Sequence, residues 1–184
     1  FSGFAQNDLP EFLIFIIECF HNSLKRDVTI TISGEAMNET DKLAQECYKM
    51  IKNMYSKTYS ELLDIFYGIH VSQLTSLEDK RLSINCESYS SINLPIPPNS
   101  NNCSIYDCFD LYSSKELLEG DNAWYDENDK IKKSFNKSIV FWNFPEILIV
   151  DFKRFNNNNN KINTVIDTPL NNLDLSKYVI GYNK

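Results

Sequence analysis

No C-x-x-C pair occurs in this sequence, although it holds five cysteines. Structural zinc usually takes four Cys or His ligands, commonly drawn from such pairs. Cys19, Cys47, Cys86, Cys103 and Cys108 therefore predict no metal centre, and nothing in the chain calls for another cofactor. Their odd number and irregular spacing also argue against a disulfide framework and point to reduced thiols in an intracellular protein. Basic residues are outnumbered, 18 Lys and Arg against 25 Asp and Glu, for a formal charge of −7. Nucleic-acid phosphates require a basic face, so that class of partner is excluded, whereas steering favours a cationic protein partner. Long apolar runs are missing too. The longest, Phe12 to Ile17, falls far short of the ~20 residues that span a bilayer, and no charged leader with a cleavage site is recognisable. The expectation is a soluble protein with no membrane partner.

Histidine is scarce, with only His21 and His70, and that limits nucleophilic chemistry. Cys19 and His21 are two residues apart, so on a helix they point about 200° away from each other and cannot share a proton. Cys19 lies in an all-apolar stretch, where a buried, inert thiol is expected. His70 sits in a strand-like segment with no cysteine of defined geometry beside it. No catalytic residue is assigned to this chain.

What is present belongs to a folded protein: 42% hydrophobic and 13% aromatic residues in 184, enough for one domain with a sizeable core. Asp8 to Leu24 reads as a first helix, with Asp8 as its cap, Glu11 completing a capping box and Pro10 in the first turn. Its apolar residues run nearly all round, which predicts burial. Leu43, Cys47, Met50, Ile51 and Met54 recur at helical spacing and predict a second helix over Glu39–Tyr55. A short third helix, Ser60 to Ile65, leads into a strand over Phe66–Val71.

Ser88 to Ile96 alternates as a half-buried strand does, until Pro95, Pro97 and Pro98 end it. Ser104 to Tyr112 returns to helical spacing. Pro145 introduces a buried strand, Ile147–Val150; Asn156 to Asn160 forms a solvated turn; and Lys161 to Val165 is the returning strand. No internal repeat is visible. Helices first and then mostly strands define an α+β domain.

These segments, taken in order, resemble the ubiquitin-specific protease family. Gln6-Asn7-Asp8-Leu9-Pro10-Glu11-Phe12-Leu13 is similar to its Q-Q-D-x-x-E-F-L box, and Phe66-Tyr67-Gly68-Ile69-His70-Val71-Ser72 to the strand entering its fingers. Glu87 to Ile96 resembles the strand leaving the first fingertip. Ser104-Ile105-Tyr106-Asp107-Cys108-Phe109 with Glu116-Leu117-Leu118-Glu119-Gly120 resembles its S-L-x-D-C-L helix and exit. Pro145-Glu146-Ile147-Leu148-Ile149-Val150-Asp151-Phe152-Lys153-Arg154-Phe155 is similar to its P-x-I-L-I-I-x-L-K-R-F strand. Pro169 and Leu173 to Tyr178 close the match.

The resemblance implies a papain-like cysteine protease fold with thumb, fingers and palm, here incomplete, as one domain over 1–184. Residues 1–66 would be mainly thumb helices, and 67–184 fingers and palm strands. It implies ubiquitin and its conjugates as partners and hydrolysis after ubiquitin's C-terminal glycine. Such chemistry needs a thiolate, a histidine and an oxyanion hole. The family's cysteine segment would precede the Gln-Asp box and its histidine segment would follow the Leu-Asp-Leu run.

The chain opens on Phe1 and closes on Gly181-Tyr182-Asn183-Lys184, the pattern of a piece cut from a longer polypeptide and inactive alone. A non-catalytic ubiquitin-binding module, its parent lacking the nucleophile, is the alternative; a bland α+β domain is the third reading. The family's fingertip zinc slots hold only Cys86 here, so the tip is expected to rest on packing through Trp124 and Tyr125. Ubiquitin ends in an arginine-bearing tail, and the resemblance assigns its recognition to Gln6, Asp8 and Glu11 through charge-assisted bonds. Helix capping is the competing role for Asp8. Phe155 is assigned either to the tail channel or to the core.

Overall fold

A computed structural model describes residues 8–98, 101–126, 129–156 and 158–182. Three helices open the chain: α1 (Leu9–Leu24), α2 (Glu39–Tyr55) and α3 (Leu62–Phe66). The strands β1 (Gly68–Ser76), β2 (Leu82–Tyr89), β3 (Ser91–Leu94) and β4 (Asn102–Ser104) precede a fourth helix, α4 (Ile105–Ser113). Six more strands follow: β5 (Glu116–Leu118), β6 (Trp124–Asp126), β7 (Ile131–Lys133), β8 (Phe135–Asn143), β9 (Ile149–Phe152) and β10 (Val165–Asp167). The expected order of helices and then mostly strands is observed.

Caps define the helix starts. Asn38 and Asp41 form a capping box at α2, and Ser104 and Asp107 form another at α4, satisfying backbone donors that a helix start leaves without partners. Among the described residues, one antiparallel sheet has the order β2-β1-β8-β5, while β3 pairs with β9 and β4 with β10 in parallel, and β6 with β7 in a hairpin. The single strand expected over Ser88–Ile96 is divided at Ser90, because its first half pairs with β1 and its second half with β9.

Strand alternation gives the large sheet two apolar faces. Ile69, Val71 and Trp142 pack against Leu43, Ala44 and Cys47 of α2. On the other face Tyr89 and Phe141 meet Ile105, Cys108 and Phe109 of α4, with Ile92 and Leu94 of β3. Phe109 sits within 6.2 Å, ring centre to ring centre, of Phe141, 6.1 Å of Phe144 and 5.1 Å of Tyr178. The chain end is drawn into this cluster, since Ile180 N–H donates to Phe141 O at 2.8 Å.

Several expectations are corrected. Helix α1 is not buried: Ile17 is its one buried residue, and Leu9, Phe20 and Leu24 are 65%, 60% and 54% exposed. Its apolar residues cover more of the helix surface than its neighbour α3 can shield. Cys19 is accordingly exposed. The strand after Pro145 starts at Ile149 rather than Ile147 and is half-buried throughout; among the described residues it pairs with β3 alone. Lys161 makes a single bridge to Phe155, and the chain then leaves to pair β10 with β4 in place of a long returning strand.

The expected packing role of Trp124 and Tyr125 is corrected too: they are 49% and 50% exposed and do not hold their segment by packing. Charge does so instead. Arg81 Nη2 lies 2.8 Å from Asp79, 2.7 Å from Asp126 and 2.8 Å from Asp129. Lys133 bonds Asp129 and lies 3.8 Å from Glu78. The β1–β2 turn is thus tied to β6 and β7. Bonds to Ser76 and to the Arg81 backbone, with the Arg81 charge, hold Asp79 well below the usual carboxylate range.

Candidate functional site

Asp8 stands at the start of α1 with an extended backbone, and its Oδ1 accepts the Glu11 N–H at 3.2 Å. Asp8 and Glu11 are both exposed. One oxygen in a cap leaves the rest of the Asp8 carboxylate available to a further donor, so capping and recognition are compatible at this residue. Gln6 lies outside the described residues.

The position of this helix start is set at its other end. His21 Nδ1 and Ser60 Oγ are 2.7 Å apart, and Arg26 and Tyr59 form a bridge in which both N–H groups donate across. Arg26 also grips both carboxylate oxygens of Glu61, at 3.0 and 2.5 Å, holding the Glu61 carboxyl down to about 2. The segment 59–61 leads directly into α3, whose Ile65 O accepts the Ile147 N–H at 2.8 Å, two residues before β9. These links run from α1 through α3 to β9.

Partial burial raises the Asp151 carboxyl above its ordinary value, and the Asp8 charge raises it further, against the pull of Lys153. Asp8 and Asp151, from different elements, are thus close enough for one charge to act on the other. Sequence reasoning passed over Asp151 because alternation along β9 says which side a residue faces but not what it faces. An acid inside an otherwise apolar strand was the signal that could have found it.

Phe155 follows Asp151 by four residues, no more than about 14 Å of chain. Its ring is 62% exposed, which removes the core reading. Arg154 fixes the backbone here: Nη1 donates to Thr164 O at 2.6 Å, and Arg154 O accepts the Ile162 N–H at 2.6 Å. Asn156 Oδ1 closes the adjoining turn by accepting the N–H groups of Asn158 and Asn160 at 3.0 and 2.9 Å. Asparagine suits this turn because it tolerates positive φ, and Asn159 adopts 58°.

Both histidines are engaged elsewhere. His70 Nε2 lies 3.1 Å from Glu87, and its ring stacks on Tyr89 at 5.6 Å. Cys86 pairs with Val71 across the ladder, so by alternation it faces the opposite side of the sheet from His70. His21 is bonded to Ser60 rather than turned to Cys19. The described residues thus offer exposed carboxylates at the start of α1 and an exposed aromatic side chain at Phe155.

The described residues form a mixed α/β chain whose first helix starts on exposed acids. The sequence profile of the ubiquitin carboxyl-terminal hydrolase family matches residues 1–184, and the chain belongs to that family, whose fold is papain-like. The chain is 27% identical over 175 residues to the Candida glabrata protein named ubiquitin carboxyl-terminal hydrolase 4, covering 92% of this chain and 20% of that protein. It is 26% identical over 186 residues to Drosophila melanogaster ubiquitin carboxyl-terminal hydrolase Usp2, covering 100% of this chain and 19% of that protein. The chain thus spans about one fifth of the length of these relatives. Among the described residues no helix is long and apolar enough to cross a membrane.

Proposed function

We propose that this chain is the ubiquitin-recognition part of a cysteine-type deubiquitinase that hydrolyses the bond after ubiquitin's C-terminal glycine. In this reading residues 1–66 are mainly thumb and 67–184 are fingers and palm. The thiol and histidine that perform hydrolysis stand elsewhere in a longer polypeptide, and the chain alone binds without cleaving. Ubiquitin and its conjugates are the partners, met inside the cell.

The observation that carries the proposal is the match of the ubiquitin carboxyl-terminal hydrolase family over residues 1–184, joined by the exposed acidic start of α1. Arginine side chains of the incoming tail bond to Asp8 and Glu11, with Gln6 beside them, and Asp151 adds a third carboxylate. A guanidinium binds such oxygens in charge-assisted pairs, and its arrival relieves the repulsion between Asp8 and Asp151. Phe155 lines the channel farther along and offers its face to the peptide backbone.

The test separates recognition from capping. Asp8→Asn keeps an oxygen for the Glu11 N–H, and asparagine caps as well as aspartate does, but the charge is gone. In the longer polypeptide, Asp8→Asn with Glu11→Gln lowers kcat/KM on a ubiquitin substrate by about 10- to 100-fold, the worth of one or two charged hydrogen bonds, with Tm unchanged. An unaltered kcat/KM with a lower Tm would show that these acids serve only the helix.

A further inference from the structure

The cysteines carry an inference that does not depend on the proposed function. Cys47 is fully buried in the middle of α2, and Cys86 is half-buried in β2. The two come from opposite sides of a helix–sheet contact, 39 residues apart in the chain, with their Sγ atoms 3.5 Å apart. They share one apolar cluster with Leu43, Val71 and Trp142. Cys86 also lines a cleft of about 380 Å³ between α2 and β2, walled by Glu46, Lys49, Met50 and Asn85. One sulfur of the pair is therefore open to a small reagent, and the other is shielded behind it.

We propose that Cys47 and Cys86 are a modification site, oxidised together to a disulfide that staples α2 to β2. A disulfide sulfur–sulfur bond is about 2.05 Å long, so the sulfurs close by roughly 1.5 Å, a side-chain adjustment. With hydrogen peroxide as oxidant, the Cys86 sulfur attacks the O–O bond and becomes a sulfenic acid, releasing one water. The Cys47 sulfur then attacks the Cys86 sulfur; the hydroxyl leaves with the Cys47 proton as the second water. Two thiols lose two hydrogens and two electrons, and one peroxide becomes two waters.

The staple has a structural consequence. β2 is an edge strand of its sheet, paired to β1 alone, and α2 packs on it from one face. A covalent tie at Cys86 restrains that edge. Burial raises both thiols above the ordinary cysteine range, and their contact raises Cys47 further. The pair is therefore slower to react than a low-pKa thiolate of the same exposure. Cys103 and Cys108 provide an internal comparison. Their sulfurs are 3.9 Å apart, but both residues are buried, and neither lines the cleft that exposes Cys86.

The test uses the chain with Cys19→Ser, which removes the exposed thiol. Oxidation with hydrogen peroxide, alkylation and peptide mapping are expected to show one linked peptide joining Cys47 to Cys86, with Cys103 and Cys108 alkylated. Closing a loop of this length raises Tm by roughly 10 °C, reversibly with dithiothreitol. Adding Cys86→Ser abolishes both the link and the shift. The proposal is overturned if Cys86 is converted to sulfinic acid while Cys47 remains a free thiol, or if the link forms and lowers Tm.

Discussion

Replacing Phe109 by alanine and, in a second protein, Phe20 by alanine sets the same chemical change in two opposite environments. Phe109 is wholly buried, with three rings within 6.2 Å, while Phe20 is 60% exposed on α1. Emptying a buried phenylalanine site costs about 3–5 kcal/mol, because the lost transfer energy is joined by that of the cavity left behind. In a chain of this length each kcal/mol moves Tm by roughly 2–4 °C, so Phe109→Ala melts roughly 6–20 °C lower. Phe20→Ala removes little buried area and also gains helix propensity, so its cost is within about 0.5 kcal/mol. Circular-dichroism melts and urea titrations of the two variants and the parent make the comparison, and Phe109→Leu recovers most of the loss. If Phe109→Ala melts within a few degrees of the parent, the cluster joining α4, β8 and the chain end is not the core. If Phe20→Ala costs as much as Phe109→Ala, α1 is buried after all. In the longer polypeptide, a rise in the cost of Phe20→Ala would mean that other parts of that protein cover α1.

The contact between the β1–β2 turn and the β6–β7 hairpin is expected to loosen in acid. Bonds from Lys133 and Arg81 depress the Asp129 carboxyl below its ordinary value, as bonds from Ser76 and Arg81 do for Asp79. Their contribution is complete above the unfolded value near 3.8 and is lost as pH falls through the lower folded values. With Trp142→Phe in the background, Trp124 fluorescence reports this change between about pH 5 and 2. Arg81→Gln shifts it upward in pH, and an unmoved curve would refute the ion network. Gly68→Ala sets a Cβ 2.5 Å from Tyr89 Oη and 2.8 Å from Asn143 O, and is expected to cost about 1–3 kcal/mol as overpacking. Tyr89→Phe restores part of that in urea titrations; a neutral Gly68→Ala would mean that β1 and β8 can shift apart at this point.

Local patterns carried the helices. Asp8 marks the start of α1 by a short-range bond, and the three- and four-residue spacing of Leu43, Cys47, Met50 and Met54 marks a face. Signals of that kind act over a few residues, so a sequence read alone exposes them, and the α2 boundaries agree with the structure. The ordered family boxes carried the family in the same way, since each is a local string. The partners of each face were not legible. Whether Phe20 is buried depends on what lies across from it, and alternation within Ile147–Phe152 does not say that β9 pairs with β3 alone among the described residues. Charge followed the same division. Arg81 is 45 residues from Asp126 in sequence, and only the turn and hairpin that bring it to Asp126 and Lys133 made them a fastening. At the candidate site, residue types alone put Asp8 and Glu11 at a helix start, but only the folded chain brought the Asp8 charge to bear on Asp151. Bonds within one turn are written in neighbouring residues; contacts across the chain depend on how whole elements settle against one another.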